Sequence, residues 1–426
     1  MQINEEINVI KINLNQGKYS EAEKRAKNII KNSPQNFLGW EVLGIVYFEK
    51  RQYDDAVKAY RKLIDLKKNY APAHYSLGLV LHQAGWLEEA EISYKNAILL
   101  NPKNYQAHSN RGVILSALGK FFEAIDSYKA ALSYNEENPF ILNNLGNTYE
   151  SVGEDKKALI YYNKATELDP KFSDAHYNLG IMLEKVNRDS EAIKHFKLAL
   201  KAEPNFDEAK HMLSALEGIT TTSAPPNYVK NLFDGYAGNF DNTLVEKLEY
   251  NIPEKLSELI LKKTNTKSYG SVLDLGCGTG LMGESIKKES EYLVGVDISQ
   301  LMLNEAQKKN IYDILKCQDI TNYLANANLR FDHIIATDVF IYVGELSKIF
   351  RYLKERNQTN GYFSFSTEHS DKDKYYLKKT GRYSHSRKYI EQLCLRFNFE
   401  IKYFQLLNLR KERGSYIKGA LYILSF

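Results

Sequence analysis

VLDLGCGTG, from Val272 to Gly280, carries three signals in one short stretch. An apolar run suited to a buried strand ends in an acid, Asp274. A turn containing Gly276, Gly278 and Gly280 follows, and then an amphipathic stretch suited to a helix. Glycines allow the backbone to turn tightly and let a ligand lie against it. Asp274 falls at the C-terminal end of the strand, the edge at which open α/β sheets bind ligands. The order strand, turn, helix predicts a Rossmann-like α/β domain.

The same residues admit a second reading. Gly278-Thr-Gly280-Leu-Met-Gly283 spells the dinucleotide fingerprint GxGxxG. An acid two positions before the first glycine opposes a pyrophosphate. It suits a ligand that carries a sulfonium and an ammonium group. Working outward, Asp297 ends the next apolar run in GVDIS, where a carboxylate can accept both hydroxyls of a ribose. Asp319 in CQDI ends a third run, where a side chain can meet an adenine amino group, and Asp338 in FDHIIATDVF ends a fourth. Four acids ending four successive strands favour S-adenosylmethionine over NAD. The predicted strands are 271–275, 292–296, 312–316, 333–336 and 362–365, with ALYILSF near the C-terminus as one more. Helices are expected over 281–288, 300–309 and 345–356.

Upstream the sequence changes character. Gly44, Gly78, Gly112, Gly146 and Gly180 lie on a 34-residue grid. So do Ala22, Ala56, Ala90, Ala124, Ala158 and Ala192, and the aromatics Tyr60, Tyr94, Tyr128, Tyr162 and Phe196. Such a period marks stacked helical hairpins that cannot bury their apolar faces alone. The motif W/H-x-x-L-G-x-x-Y/L, then Ala, an aromatic four residues on, and Pro resembles the tetratricopeptide repeat, in six copies over residues 3–206. Residues 207–217 read as a capping helix. His74, His108 and His176 recur where that family carries Trp, so packing explains them better than metal binding. Asn110, Asn144 and Asn178 precede the glycines by two positions. They resemble the asparagine ladder of O-linked N-acetylglucosaminyl transferases, which holds extended peptide on the concave face; a merely tolerated polar position explains them equally well. GITTTSAPP, residues 218–226, disfavours helix and suits a linker. The expected organisation is an α-solenoid over 1–217, the linker, and an α/β domain over 227–426.

Composition sets bounds. The chain of 426 residues is 43% hydrophobic and 26% charged, with a net charge of +4, which gives no reason to expect nucleic acid. The charge is unevenly spread: from Lys348 onward there are 17 Lys and Arg against 7 Asp and Glu. A solvated surface accounts for this, and a basic rim for an anionic substrate is the sharper alternative. Cys277, Cys317 and Cys394 are too scattered for a metal or disulfide framework. No apolar run reaches the length of a membrane span, and MQINEEINVI lacks the pattern of a secretory signal, so a cytoplasmic protein is expected.

Taken together, VLDLGCGTG, GVDIS, CQDI and FDHIIATDVF resemble the successive motifs of class I methyltransferases over roughly 227–426, and the two-part layout resembles bacterial methyltransferases that carry tetratricopeptide repeats. The resemblance implies a seven-stranded sheet with helices on both faces and S-adenosylmethionine as methyl donor. It implies that Asp274 and the loop Gly276, Cys277, Gly278 and Gly280 contact the methionine part. It further implies ribose at Asp297, adenine between Ile298 and Met302, and its amino group at Asp319 with Ile320 beside it. NLFDGYAGNFD, residues 231–241, suggests Tyr236 as a cover for the cofactor, although helix packing explains Tyr236 and Phe240 equally.

Proline is absent after Pro253. The chain therefore lacks the Asn/Asp-Pro-Pro-aromatic motif of planar-amine methylation and the Pro-Cys motif of cytosine C5 methylation. An oxygen, a carboxylate or an aliphatic nitrogen remains open as acceptor, on a small molecule or a protein. Candidate proton acceptors are Glu368, His369 and His385, with Asp338 as a candidate to orient substrate or cofactor; an exposed loop histidine explains His385 equally well. The expected function is methyl transfer, with the repeats recruiting a protein or peptide; the alternative is a scaffold that binds S-adenosylmethionine without catalysis.

Overall fold

The computed structural model describes residues 2–236, 240–241, 244, 248–412 and 414–426. By internal contacts the chain divides into two compact units, 1–186 and 187–426. Each is described in turn.

The first unit is a run of paired helices, beginning with Gln2–Asn15 and Tyr19–Asn32 and ending with Ser173–Lys185. The 34-residue grid has a direct physical cause. A Cβ added at Gly44 would lie 2.8 Å from the Tyr60 ring; at Gly78, 2.7 Å from Tyr94; at Gly112, 2.7 Å from Tyr128; at Gly146, 2.6 Å from Tyr162. Each glycine is thus the seat of an aromatic sixteen residues downstream, and these tyrosines are buried. The Trp/His position has a constant task as well. Trp40 Nε1 donates to the Pro34 carbonyl at 2.9 Å, and His74, His108 and His176 place Nε2 at 2.9, 3.0 and 3.2 Å from the carbonyls of Lys68, Pro102 and Pro170. A carbonyl only accepts, so Nε2 carries the proton in each ring. These histidines tie a helix to the turn before it.

Two of the three asparagine positions are already engaged between neighbouring repeats. Asn110 Nδ2 donates to Tyr75 Oη at 3.2 Å. Asn178 Nδ2 lies 3.0 Å from Asn143 Oδ1 and 3.1 Å from Asn147 Oδ1. Asn144 is half-buried, and its backbone carbonyl accepts from Thr148 Oγ1 at 2.8 Å.

The second unit opens with helices Asp189–Ala202 and Asp207–Glu217 and is built around one nine-stranded sheet. Its strands are β1 (Gly270–Leu275), β2 (Ser290–Asp297), β3 (Ile314–Cys317), β4 (His333–Ala336), β5 (Tyr362–His369), β6 (Tyr375–Leu377), β7 (Tyr383–His385), β8 (Glu400–Glu412) and β9 (Ser415–Ser425). The order β3-β2-β1-β4-β5 is parallel throughout. Strand β9 then runs antiparallel between β5 and β8. These seven strands are the expected sheet. The short pair β6–β7 is an addition, and it joins β5 at Glu368 and His369.

Alternation along the strands assigns two faces. Leu273, Leu275, Val294, Val296, Ile334, Phe363, Tyr422 and Leu424 face a core with helices Ser347–Arg356 and Arg387–Phe397. Val272, Leu293, Ile335, Leu421 and Ile423 face another core with helix Ile252–Thr264. Helices on both faces cover the parallel strands, which explains why these strands read as continuous apolar runs.

Residues 218–225 are irregular, as their composition requires, and Pro226, expected in the linker, instead opens helix Pro226–Tyr236; the irregular residues are nonetheless docked on the sheet domain. Gly344 and Glu345 donate their amides to the Thr222 carbonyl at 2.9 and 2.8 Å, and Ala224 N donates to the Tyr342 carbonyl at 2.9 Å. Thr221 Oγ1 lies 2.5 Å from Tyr383 Oη. A Thr/Ser/Pro-rich composition rules out helix but says nothing of whether the extended backbone finds partners elsewhere.

Candidate active site

The glycine turn is pinned from the neighbouring strand. Gly276 N and Cys277 N both reach the Val296 carbonyl, at 2.7 and 3.1 Å. Gly276 has φ of +67°, and a Cβ there would collide with the Val339 side chain, so both backbone and space demand glycine. Asp297 closes the turn from below: its Oδ2 accepts from Gly278 N and its Oδ1 from Ser299 N, each at 2.9 Å. Burial pushes the Asp297 carboxyl upward, and these backbone donors oppose the shift.

A cavity of about 600 Å³ begins at this turn. Gly276, Cys277, Gly278 and Thr279 line one part of it, with Asp297, Ile298, Asp319 and Ile320. Asp319 also caps helix Ile320–Asn326, its Oδ1 accepting from Asn322 N at 2.9 Å. Gly280 opens helix Leu281–Ile286, with φ of +93°. Met302 is buried beneath the site, where Ser299 Oγ accepts from its amide at 3.1 Å; Met282 is the methionine on the cavity wall. Asp274 lies under the turn, fully buried, with Tyr312 Oη donating to its Oδ2 at 2.6 Å. Its Oδ1 is buried with no hydrogen-bond partner among the described residues. Burial, with the Asp297 charge adding to it against the Tyr312 bond, pushes the Asp274 carboxyl up to about 7. An unsatisfied buried carboxylate oxygen beneath an acid-lined glycine turn fits a cationic ligand such as S-adenosylmethionine.

The segment after the linker leans over this cavity. Phe233 and Phe240 meet edge to face at 5.9 Å, and Phe233 packs on Tyr342 at 5.5 Å. Ser299 Oγ donates to Asp234 Oδ1 at 2.5 Å, and Asp241 accepts from Thr279 Oγ1 and, at 2.7 Å, from Lys309 Nζ. The Tyr236 side chain lies outside the described residues.

The remainder of the wall differs in chemistry. Val229, Leu244, Leu248, Tyr250 and Tyr342 make it apolar, and Asp338, Arg382 and Arg410 interrupt it. Asp338 holds φ of +57°, an uncommon conformation for a residue with a side chain. Its Oδ2 accepts from Arg410 Nη1 at 2.6 Å. The other Arg410 nitrogen, Nη2, donates to Glu368 Oε1 at 2.5 Å, and Lys378 Nζ donates to Glu368 Oε2 at 2.8 Å. Arg382 pairs with Glu412.

Two of the candidate proton acceptors are placed otherwise than a base requires. Glu368 is 1% exposed, with both oxygens in ion pairs; burial raises its carboxyl, but Arg410, Lys378 and Arg382 outweigh burial and hold it below the ordinary carboxylate range. His385 is neither an exposed loop residue nor on the cavity wall: it is fully buried, with Nε2 at 3.0 Å from the carbonyls of both Val343 and Gly344. Nε2 therefore carries its proton, and burial pushes the imidazole down to about 4. His369 is half-buried beside Asp371, with Nε2 3.3 Å from Oδ1. Sequence reasoning missed Arg382 and Arg410. No local spacing singles them out, and only the return of β8 and the β6–β7 insertion bring them to Asp338.

Comparison with known proteins agrees with this architecture. Residues 272–361 match the family model of a methyltransferase domain. Tetratricopeptide repeat models match in succession from 44–85 to 161–194. The chain joins a tetratricopeptide-repeat array to a class I, Rossmann-like methyltransferase domain. It is similar to a ubiquinone biosynthesis O-methyltransferase of Coxiella burnetii, 30% identical over 100 residues, which are 22% of this chain and 42% of the relative. A malonyl-[acyl-carrier protein] O-methyltransferase of Calditerrivibrio nitroreducens is 29% identical over 32% of this chain and 53% of its own length. An 18S rRNA (guanine-N(7))-methyltransferase of Bos taurus is 60% identical over 8% of this chain and 12% of its own length. The chain thus spans about half or less of the length of these relatives. Among solved structures, that of MamA is 28% identical with a TM-score of 0.37, covering 38% of this chain and 95% of that one.

Proposed function

We propose that this chain transfers a methyl group from S-adenosylmethionine to an acceptor bound beside Tyr250, Asp338 and Tyr342. The supporting observation is one continuous cavity with two chemistries. The glycine turn, Asp297 and Asp319 line one part, and an apolar wall with two guanidiniums lines the rest. Its volume of about 600 Å³ is in the range of small-molecule sites. The bound donor supplies an electrophilic methyl on a sulfonium. The chain's own residues bind and orient: Asp297 and Asp319 offer acceptors to a ribose and an amino group, Asp274 contributes negative charge beneath the turn, and Phe233 and Phe240 exclude water.

The relatives' names carry three different acceptors, so the segment they share with this chain does not identify its acceptor. The repeats support recruitment of a protein or peptide, for which the half-buried Asn110, Asn144 and Asn178 are candidate contacts, Asn110 and Asn178 through the hydrogen-bonding capacity that their inter-repeat bonds leave. Among the described residues no helix is long and apolar enough to cross a membrane.

The test is ligand-dependent thermal unfolding of the full chain. S-adenosylmethionine at about ten times its dissociation constant should add about 1.4 kcal/mol of stability. NADH should add none, and Asp297→Ala should abolish the effect. Stabilisation by NADH alone would overturn the reading. Retained stabilisation in Asp297→Ala would remove Asp297 from the site, and binding without any transfer of labelled methyl to cell extract would favour the non-catalytic scaffold.

A further inference from the structure

We propose that the acceptor is a carboxylate held by Arg382 and Arg410, and that the product is a methyl ester; this rests on the methyl-transfer reading above. The first observation is the pair of guanidiniums on the acceptor part of the cavity wall. They arrive from distant segments, Arg382 just before β7 and Arg410 within β8, and Glu412 binds both, Arg410 at 3.8 Å. Arg410 is 3% exposed and its fork is oriented by Asp338 and Glu368. A guanidinium has five N–H donors, and the two bonds described for Arg410 leave others for a ligand. Arg382, Arg410 and Lys378 are matched by Asp338, Glu368 and Glu412, so the cluster holds its cations at the wall without excess charge. Burying such a cluster is generally no better for stability than apolar packing, which argues for a role in recognition.

The second observation is the chemistry of the wall. Among the described residues that line the cavity there is no histidine, lysine or glutamate. The carboxylate that lines the cavity beside the arginines, Asp338, is paired with Arg410. An ammonium or an alcohol must lose a proton before or during attack, and a carboxylate need not. Its oxygen forms the new bond to the methyl carbon, the carbon–sulfur pair stays on sulfur, and ester and thioether are both neutral. An anion and a sulfonium cation cancel, a change that an apolar wall favours.

Calorimetry on the full chain tests this in two stages. S-adenosylhomocysteine is bound first; failure here overturns the methyl-transfer reading itself. To that complex sodium octanoate, 1-octanol and octylamine are added separately. Octanoate should bind at least about tenfold more tightly than the other two, the scale of a charge-assisted hydrogen bond. Arg382→Gln should remove that preference while S-adenosylhomocysteine binding persists, which also reports that the variant is folded, and Arg382→Lys should restore part of it. Labelled methyl transferred to octanoate should be released by alkali as volatile methanol. Equal or tighter binding of octylamine or octanol, octanoate binding unchanged in Arg382→Gln, or label found only in alkali-stable form would overturn the carboxylate assignment and leave the donor site standing.

Discussion

His211 Nε2 donates to the backbone carbonyl of Gly381 at 2.8 Å, joining positions 170 residues apart in the chain. Lys379 Nζ reaches Asp189 Oδ2 at 2.6 Å beside it. Helices Asp189–Ala202 and Asp207–Glu217, which complete the repeat pattern in sequence, thus grip the segment that delivers Lys378 to Glu368 and Arg382 to the cavity. Residues of these two helices are part of the support of the cavity wall at Arg382.

A protein beginning at residue 227 should therefore be less stable than one beginning at 187. It loses the His211, Thr221, Thr222 and Ala224 hydrogen bonds, each worth about 1 kcal/mol net. Thermal unfolding of the two side by side checks this; equal melting temperatures would show the docking to be energetically idle.

Stability should fall in acid through His385. Its folded pKa of about 4 is below its ordinary value of 6.5, so the unfolded chain binds the proton more readily. The contribution is complete above 6.5 and is lost as pH falls towards 4, at up to about 1.4 kcal/mol per pH unit. His385→Gln keeps a donor near the Val343 and Gly344 carbonyls and cannot titrate. Denaturant unfolding across that window should show a shallower slope for the variant.

Asp274 should behave in the opposite sense. Its carboxyl is raised from 3.8 to about 7, so the neutral form favours folding and ionisation costs stability as pH rises through that window. Asp274→Asn should melt higher than the parent at pH 7.5 without ligand, and should gain less from S-adenosylhomocysteine. An undiminished ligand effect would detach Asp274 from the donor site.

Gly112→Ala should destabilise the repeats by about 1–3 kcal/mol, because the Tyr128 ring fills the place of the new methyl. Circular dichroism during thermal unfolding measures the loss. A variant as stable as the parent would show that the ring can shift at no cost.

Much of this was legible in residue order. The 34-residue grid is a packing rule written once per repeat, and β4 begins and ends where the apolar run FDHIIATDVF places it. Strand β5 extends four residues past the expected Phe365, because Ser366, Thr367 and Glu368 look polar yet are fully buried between β9 and β7. The glycine turn and its acids follow from one segment each. Arg382 and Arg410 could not be found that way: their meaning depends on which carboxylates stand opposite, and that is settled by strand order. His385 was misjudged for the same reason, since a polar loop sequence does not announce two carbonyls waiting behind it.

The docking of residues 218–226 bears on how such chains can be recombined. A chimaera that exchanges the repeats at residue 217 would bring a foreign helix to the Gly381 carbonyl and leave the Arg382 segment without its brace. Division of the chain by internal contacts leaves helices Asp189–Ala202 and Asp207–Glu217 both with the sheet domain. In this protein the unit of inheritance for the enzyme includes the last two helices of its neighbour.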